Sequence, residues 1–116
     1  MKDVTSANII AVVEDAKKYA RANAQKYFYE KLGGVDQYAC GFAWVDIYGV
    51  RSNSVAGKAL IAAGFRKSYT KSLQLWNPAD MAVQNIDTLE AGAEAFKEFF
   101  KMKFPEAVVY TGSRLD

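Results

Sequence analysis

The hydrophobic pattern of the first third of the chain is that of one long helix. Apolar residues recur at steps of three and four between about Ser6 and Leu32, which is the spacing of one face of an α-helix. Thr5 or Ser6 can cap the start, and Gly33 suits the left-handed residue just past the end. We therefore expect a long N-terminal helix over about residues 6–32.

The next stretch, residues 38–48, has the composition of a strand that ends near Gly49. It contains Phe, Trp, Val, Ile and two Tyr, and it has no proline. Its odd positions are small or aliphatic, whereas its even positions are mostly large and aromatic. Neither face is polar before Asp46, so the pattern predicts a strand covered on both sides, with Phe42 and Trp44 in the core. The alternative is that the aromatic face binds a ligand.

A turn and a second helix follow this strand. Residues 49–54 are turn-like, Ser52 or Ser54 can cap a helix that runs to about Ala63, and Gly64 ends it. An anion site at the helix start, with Arg51 beside free backbone N–H groups, is an alternative to ordinary capping. The inner face of this helix is predicted to be Val55, Ala59, Leu60 and Ala63.

The second predicted strand is short and partly polar. It begins at Tyr69 or Ser72 and ends at Trp76, because Pro78 supplies no donor to a sheet and restrains Asn77 before it. Alternate leucines mark one face of this strand. Residues 79–85 are predicted to form a loop.

The last helix has the clearest start signal in the chain. Asp87 stands at the predicted cap and Glu90 at the acidic position of a capping box. Pro105 lies just past the predicted end. Residues 107–111 then read as a third strand, and residues 112–116 as a short tail. The predicted buried stripe of the helix is Leu89, Gly92, Ala93, Phe96, Phe99 and Phe100.

These elements predict a single α/β domain over residues 1–116: a long first helix, then strand-helix-strand-helix-strand over residues 38–112. Three strands would form a small sheet covered by three helices. Two strand-helix-strand units imply neighbouring parallel strands, if each unit joins strands of one sheet. We expect helices on both faces, in three layers; a mixed sheet with every helix on one face is the alternative.

Composition excludes several classes of chemistry. The chain has 116 residues and is 51% hydrophobic, which fits one folded domain. It has no histidine and only one cysteine, Cys40, so catalysis by Ser-His-Asp or Cys-His and zinc sites of several Cys or His are not available. Cys40 lies in an apolar stretch, where a thiol is expected to be inert. We predict no metal and no cofactor.

The chain also lacks the sequence signals of membrane insertion and export. No segment approaches the roughly 18 consecutive apolar residues of a membrane helix. Residues 1–3 do not begin the apolar segment of a signal peptide. We expect a cytoplasmic protein with no membrane partner.

Four short motifs together resemble those of a group of small uncharacterised proteins encoded by bacteriophages and bacteria. The motifs are Cys40–Val45 (CGFAWV), Trp76–Pro78 (WNP), Gln84 with Glu90–Ala93 (EAGA), and Ser113–Asp116 (SRLD). The resemblance spans about residues 38–116. It implies a phage or bacterial setting and implies no mechanism.

A basic segment is the first candidate site. Between residues 51 and 71 the chain carries five cations and no acid, against a net charge of +2 for the whole chain. Tyr69 and Trp76 lie in or just after this segment, and cations interleaved with aromatic rings suit contact with a nucleic-acid backbone and its bases. The alternative is that these are isolated, solvated side chains. The cations are Arg51, Lys58, Arg66, Lys67 and Lys71.

A polar cluster at the predicted strand ends is the second candidate. In a parallel sheet the ends of the strands share an edge, where ligands tend to bind. Arg114 there could hold an anionic group, and Asp46 could act as an acid or base. The alternative is structural, with Asn77 in a turn and Arg114 paired with a carboxylate. The cluster consists of Asn77, Gln84, Arg114 and Asp116.

The number of aromatic residues indicates a protein interface. The chain has 7 Tyr, 7 Phe and 2 Trp, and several of them are not needed in the predicted core. Exposed aromatic patches often mark interfaces, so homodimerisation is a further hypothesis. The surplus aromatics are Tyr19, Tyr29, Tyr48 and Phe104.

Taken together, the sequence favours a non-enzymatic accessory or binding protein that acts through protein contacts and, in one hypothesis, nucleic acid. The alternative is a small enzyme or anion-binding domain that uses the strand-end cluster. The predicted binding residues are Arg51, Arg66, Lys67, Lys71, Trp76, Asn77 and Arg114.

Overall fold

A computed structural model of the chain describes residues 4–116. Residues 1–3, where we predict no signal-peptide start, lie outside the described residues. The predicted α/β class is confirmed, but the sheet has four strands and not three. The elements are α1 (Ser6–Leu32), β1 (Gly41–Tyr48), α2 (Val55–Ala62), β2 (Arg66–Lys67), β3 (Leu73–Trp76), α3 (Ile86–Lys103) and β4 (Val108–Leu115).

The long helix α1 forms as predicted, with the predicted caps. The side chain of Thr5 accepts a hydrogen bond from the backbone N–H of Asn8 at 3.1 Å, and Gly33 has a left-handed backbone with φ of 64°. Its buried stripe runs from Ile9 to Leu32 and packs chiefly on α3 and also on α2.

The first strand is shorter than predicted, and one of its faces is different. It begins at Gly41, because Tyr38 has a positive φ of 68° and Cys40 makes only an isolated bridge. The small face is the buried one: a side chain at Gly41 would lie 2.6 Å from Ile86 at the start of α3. The prediction that Phe42 and Trp44 belong to the core is wrong, since both are only half-buried on the other face.

The middle of the chain holds a hairpin that the sequence did not reveal. Arg66–Lys67 forms β2 and pairs with β3, which starts at Leu73 rather than at Tyr69 or Ser72. Helix α2 is capped by Ser54, one of the two predicted residues. Val55 is 63% exposed and does not belong to its inner face, where Ala56 lies instead.

The cap of α3 lies two residues before the predicted one. The side chain of Asn85 accepts a hydrogen bond from the backbone N–H of Thr88 at 2.8 Å, so Asp87 lies inside the first turn. The prediction that residues 112–116 form a tail is also wrong. The chain continues in β4 as far as Leu115, which pairs with Gly41. Phe104, thought surplus, is 4% exposed and belongs to the core.

The four strands form an antiparallel sheet in the order β2-β3-β1-β4. The prediction of neighbouring parallel strands is therefore wrong. β1 and β2 do run in the same direction, but β3 lies between them; β1 likewise separates β3 from β4. Each helical crossover thus skips one strand, which is the split β-α-β (ferredoxin-like) topology, here preceded by α1.

The helices lie on one side of this sheet. Helix α3 packs on β1 and β4, α2 lies near β3, and α1 covers α2 and α3. The core fills the space between the helices and one sheet face, with Val45, Ile47 and Phe96 fully buried. Of the two layer arrangements considered above, the one with helices on a single face is the closer to the structure. The other sheet face is left open.

Candidate functional site

The open face of the sheet carries alternate side chains of β1, β3 and β4. Strand pairing sets Trp44 beside Trp76 on one side and Gly112 on the other. Much of this surface is accessible, because Trp76 is 43% exposed and Tyr110 is 57% exposed. We call it the open face; it comprises Phe42, Trp44, Asp46, Tyr48, Gln74, Trp76, Val108, Tyr110, Gly112 and Arg114.

Two stacked tryptophans form the centre of the open face. The rings of Trp44 and Trp76 have centroids 4.7 Å apart and planes inclined by 23°. Phe42 extends this aromatic surface, with its ring 5.7 Å from that of Trp76. Gly112 makes room for the pair, since a β-carbon there would lie 2.5 Å from the Trp44 ring. The result is a continuous aromatic surface across the two central strands.

A buried carboxylate holds the tryptophans in place. Asp46 is 8% exposed, and its Oδ2 accepts a hydrogen bond from the indole N–H of Trp44 at 3.0 Å. Its Oδ1 accepts hydrogen bonds from Ser72 at 2.8 Å and from Gln74 at 3.0 Å. The side-chain oxygen of Gln74 in turn accepts from the indole N–H of Trp76 at 2.6 Å. Both indole N–H groups thus have hydrogen-bond acceptors within the protein, and the exposed ring surfaces are what a binding partner can contact.

The exposed charge on the strands of this face is positive. The guanidinium of Arg114 lies over Phe42 at 5.4 Å and over Trp76 at 5.6 Å from the ring centroids. Arg66 on β2 pairs with Gln74, so it extends the same face toward the sheet edge. Among the strand residues of the open face, the acid is Asp46, and it is buried. A polyanion would therefore meet aromatic rings and guanidinium groups.

A basic groove lies beside the β2–β3 hairpin, where Lys67 pairs with the buried Leu73 and so has its side chain on the side of the sheet opposite the open face. Arg51, Lys67 and Lys71 line one groove of about 790 Å³, between the β1–α2 loop and the β2–β3 hairpin. All three side chains are exposed, and the lining includes no acid. The predicted basic segment therefore brings three of its five cations together. Lys58 is exposed on α2 and does not line this groove.

A second groove shares Lys67 and Ser68 with the basic groove and borders the aromatic surface. Tyr69, Trp76 and Arg114 also line it, and its volume is about 660 Å³. Tyr69 is fully exposed in the turn of the β2–β3 hairpin. Arg66 lies beside this groove on the open face. Five of the seven predicted binding residues line the two grooves: Arg51, Lys67, Lys71, Trp76 and Arg114.

Three of the four residues of the predicted strand-end cluster come together, but Arg114 is not among them. Asn77, Gln84 and Asp116 line a third groove of about 250 Å³, which shares Trp76 with the second groove. Asn77 stabilises a turn, because its side-chain NH₂ group donates a hydrogen bond to the carbonyl of Met81 at 3.0 Å. Arg114 lies over the aromatic rings, and Asp46 lies in the middle of the sheet with three donors of its own.

The expected features near Cys40 and at the start of α2 differ from the structure. Cys40 is exposed and directly precedes β1, so the prediction of a thiol within an apolar strand is wrong. At the start of α2, the Ser54 hydroxyl accepts from the N–H of Gly57 at 3.0 Å, which is ordinary capping. Within residues 4–116 no three Cys, His, Asp or Glu side chains come together as a metal-binding group.

The sequence analysis placed Trp44 on an aromatic face that binds a ligand only as an alternative to the core, and it missed Asp46 as an anchor and Gly112. The signal for them was faint: Gln74 alternates with Trp76 on β3, which is typical of a half-exposed strand rather than a buried one. Gly112 was assigned to a tail because glycine and serine are typical of turns. Gly112 makes room for the Trp44 ring, and that ring belongs to another strand.

Comparison of the chain with protein-family models, with curated proteins and with solved structures finds no match. Among residues 4–116, no helix combines the length and the apolar character that crossing a membrane requires.

Proposed function

We propose that this chain is a non-enzymatic binding protein that takes single-stranded nucleic acid on the open face of its sheet. The observation that carries the proposal is the aromatic surface of Phe42, Trp44 and Trp76 on the two central strands, with Arg114 lying across it. Such a surface offers both of the contacts that an unpaired strand can make.

Stacking is the first of these contacts. Every base has an apolar π-face, and stacking on an exposed aromatic side chain contributes about 1–3 kcal/mol per base. A four-stranded sheet with aromatic residues on its central strands is a recurrent solution to this problem. In a duplex the faces of the bases are already stacked on one another, so the same surface favours single strands.

Phosphate neutralisation is the second contact. Arg66 and Arg114 lie on the open face or at its edge, and Lys67 lines the groove that continues from it. Cations beside stacking rings follow a sugar-phosphate backbone without reading its sequence. We therefore expect strong salt dependence and weak sequence preference.

The charge of the open face argues against a second copy of the chain as its occupant. Symmetric packing of two copies through this face would bury the guanidinium groups of Arg66 and Arg114 without an exposed acid on the strands of the face to pair with them, and unpaired buried charge opposes such packing. A homodimer through another surface is compatible with the proposal. So is a phage or bacterial cytoplasmic setting, in which the protein would act as an accessory factor.

The test is binding of labelled oligonucleotides of about 10 nucleotides, followed by fluorescence anisotropy. We expect single-stranded DNA or RNA to bind and a duplex of the same length to bind more weakly. Trp76→Ala should weaken binding about 5- to 150-fold, the equivalent of one lost stacking contact. Trp76→Phe should retain most of the affinity.

Tyr29→Ala is the matched control. Tyr29 is 66% exposed but lies on α1, which is separated from the open face by the other helices and the sheet. Its removal should leave the affinity unchanged. Equal effects of the Trp76 and Tyr29 substitutions would contradict the proposal. Absence of binding by the wild type at low salt would do the same, and would leave a protein partner as the occupant of the face.

A further inference from the structure

We infer that the groove lined by Arg51, Lys67 and Lys71 is a phosphate-binding site for the same strand, beyond the segment that stacks on the tryptophans. This inference rests on the proposed function and adds a second, chemically different half to the site. The stacking surface would hold bases, whereas the basic groove would hold backbone phosphates and no base.

The composition of the groove supports phosphate as its ligand. Three cations from two separate segments line it together with small polar side chains and the apolar Val50 and Leu73. Ser52, Asn53 and Ser68 supply hydroxyl and amide groups, and no carboxylate or aromatic ring belongs to the lining. Such a groove has charge and hydrogen-bond donors for phosphate oxygens but no aromatic ring on which a base can stack.

The backbone at Lys71 gives an independent reason to assign its side chain a role. Lys71 has φ of 62°, a left-handed conformation that favours glycine or asparagine. The hairpin turn therefore does not itself require a lysine at this point. The side chain is accounted for by the groove that it lines.

The two halves of the site meet at the β2–β3 hairpin. Lys67 and Ser68 line both the basic groove and the groove that holds Trp76 and Arg114. Tyr69, exposed in the turn of the hairpin, belongs to the lining of the second groove. A single strand that stacks on Trp76 would follow the second groove round the hairpin and place its next phosphates in the basic groove.

The two halves should respond differently to salt, and this difference is the test. For a single strand the logarithm of the binding constant falls with that of the salt concentration, by a slope of about 0.7 per neutralised phosphate. In the variant Arg51→Gln/Lys67→Gln/Lys71→Asn the slope should be lower by about 2, because three phosphate contacts are lost. Trp76→Ala should weaken binding at every salt concentration and leave the slope unchanged.

A matched control removes the same charge elsewhere. Lys18, Lys26 and Lys31 are exposed on α1, away from both grooves. Their triple replacement by Gln lowers the net charge equally and should leave the slope close to that of the wild type. Lys71→Gly alone should reduce the slope by about 0.7 while the protein stays as stable as the wild type, since glycine suits the turn.

The outcomes separate the inference from the proposed function. If the wild type binds single strands but the groove variant keeps the wild-type slope, the groove does not hold phosphate and only the stacking surface stands. If the control triple lowers the slope as much as the groove variant does, general charge and not the groove is responsible. If the wild type does not bind at low salt, the proposed function fails and the inference fails with it.

Discussion

Asp46→Asn tests whether one buried carboxylate organises the tryptophan surface. The two side chains have nearly the same shape, so the substitution changes hydrogen bonding with little change in packing. In the wild type the carboxylate accepts three hydrogen bonds, two at Oδ1 and one at Oδ2. It lies at 8% exposure, where water cannot readily replace a lost partner.

The amide can satisfy only part of this arrangement. With its oxygen placed toward Ser72 and Gln74, its NH₂ group faces the indole N–H of Trp44, and two donors then meet at the 3.0 Å separation of the present bond. In the opposite orientation the Ser72 hydroxyl can turn and accept from the new NH₂ group, but the NH₂ group of Gln74 loses its acceptor, so one hydrogen bond is lost in either case. Hydrogen bonds to a charged group contribute about 1.5–3 kcal/mol each, and an unsatisfied buried donor costs about 1–3 kcal/mol. We therefore expect a loss of about 2–3 kcal/mol in the free energy of unfolding.

Urea unfolding followed by far-ultraviolet circular dichroism measures this loss. At an ordinary m-value, a loss of this size lowers the urea midpoint by about 1 M with the slope unchanged. Asp15→Asn, at an exposed position on α1, is the control and should leave the midpoint within error. A change below about 0.5 kcal/mol for Asp46→Asn would refute the reasoning, because surface substitutions have effects of that size.

Two other predictions concern how the site is built. Gly112→Ala should lower the free energy of unfolding by about 1–3 kcal/mol, because the new β-carbon would lie 2.5 Å from the Trp44 ring. In a Trp44→Leu background this loss should largely disappear. An equal loss in both backgrounds would show that the ring is not the cause. Asn85→Ala should lower the free energy of unfolding by about 2–4 kcal/mol. It removes the cap of α3 and a 2.8 Å hydrogen bond to the carbonyl of Gln37, and Asn85 is fully buried. Asp87→Ala, at the cap predicted from sequence, should cost less than about 1 kcal/mol, and thermal unfolding that ranked the two substitutions the other way would contradict the structure.

The helices were predictable from sequence because their signals are local. The stripe of α1 repeats over many turns, and Thr5 and Gly33 flank it with ordinary cap residues. The start of α3 was misplaced by two residues because Asn85 and Asp87 are both good caps. What decides between them is the burial of Asn85 against residues 36–37, which are distant in sequence.

The sheet was less predictable because its pairing is not local. Arg66–Lys67 becomes a strand only because β3 lies beside it. The polar half of β4 likewise becomes a strand only because the first half of β1 pairs with it. Strand direction follows from the same pairing. The crossover through α3 was predicted correctly, but the one through α2 was predicted to end at β3 and in fact ends at β2. Nothing in the sequence shows that each crossover skips a strand.

The candidate site was predicted in part. The basic segment and Trp76 were identified because cations without acids, and an aromatic residue alternating with Gln74, are visible in the sequence. The open face was predicted only as an alternative, because Phe42 and Trp44 suit a core and a stacking surface equally well. Only the positions of the helices decide between the two, and all of them lie on the other side of the sheet.

The most direct test of the central claim is a titration of the wild-type protein with a single strand and with the matching duplex, followed by its own tryptophan fluorescence. Both tryptophans of the chain lie on the open face, so bases that stack there must change the signal. We expect quenching by the single strand that weakens between about 50 and 200 mM salt, and a smaller response to the duplex. Unchanged fluorescence with the single strand at low salt would contradict the account.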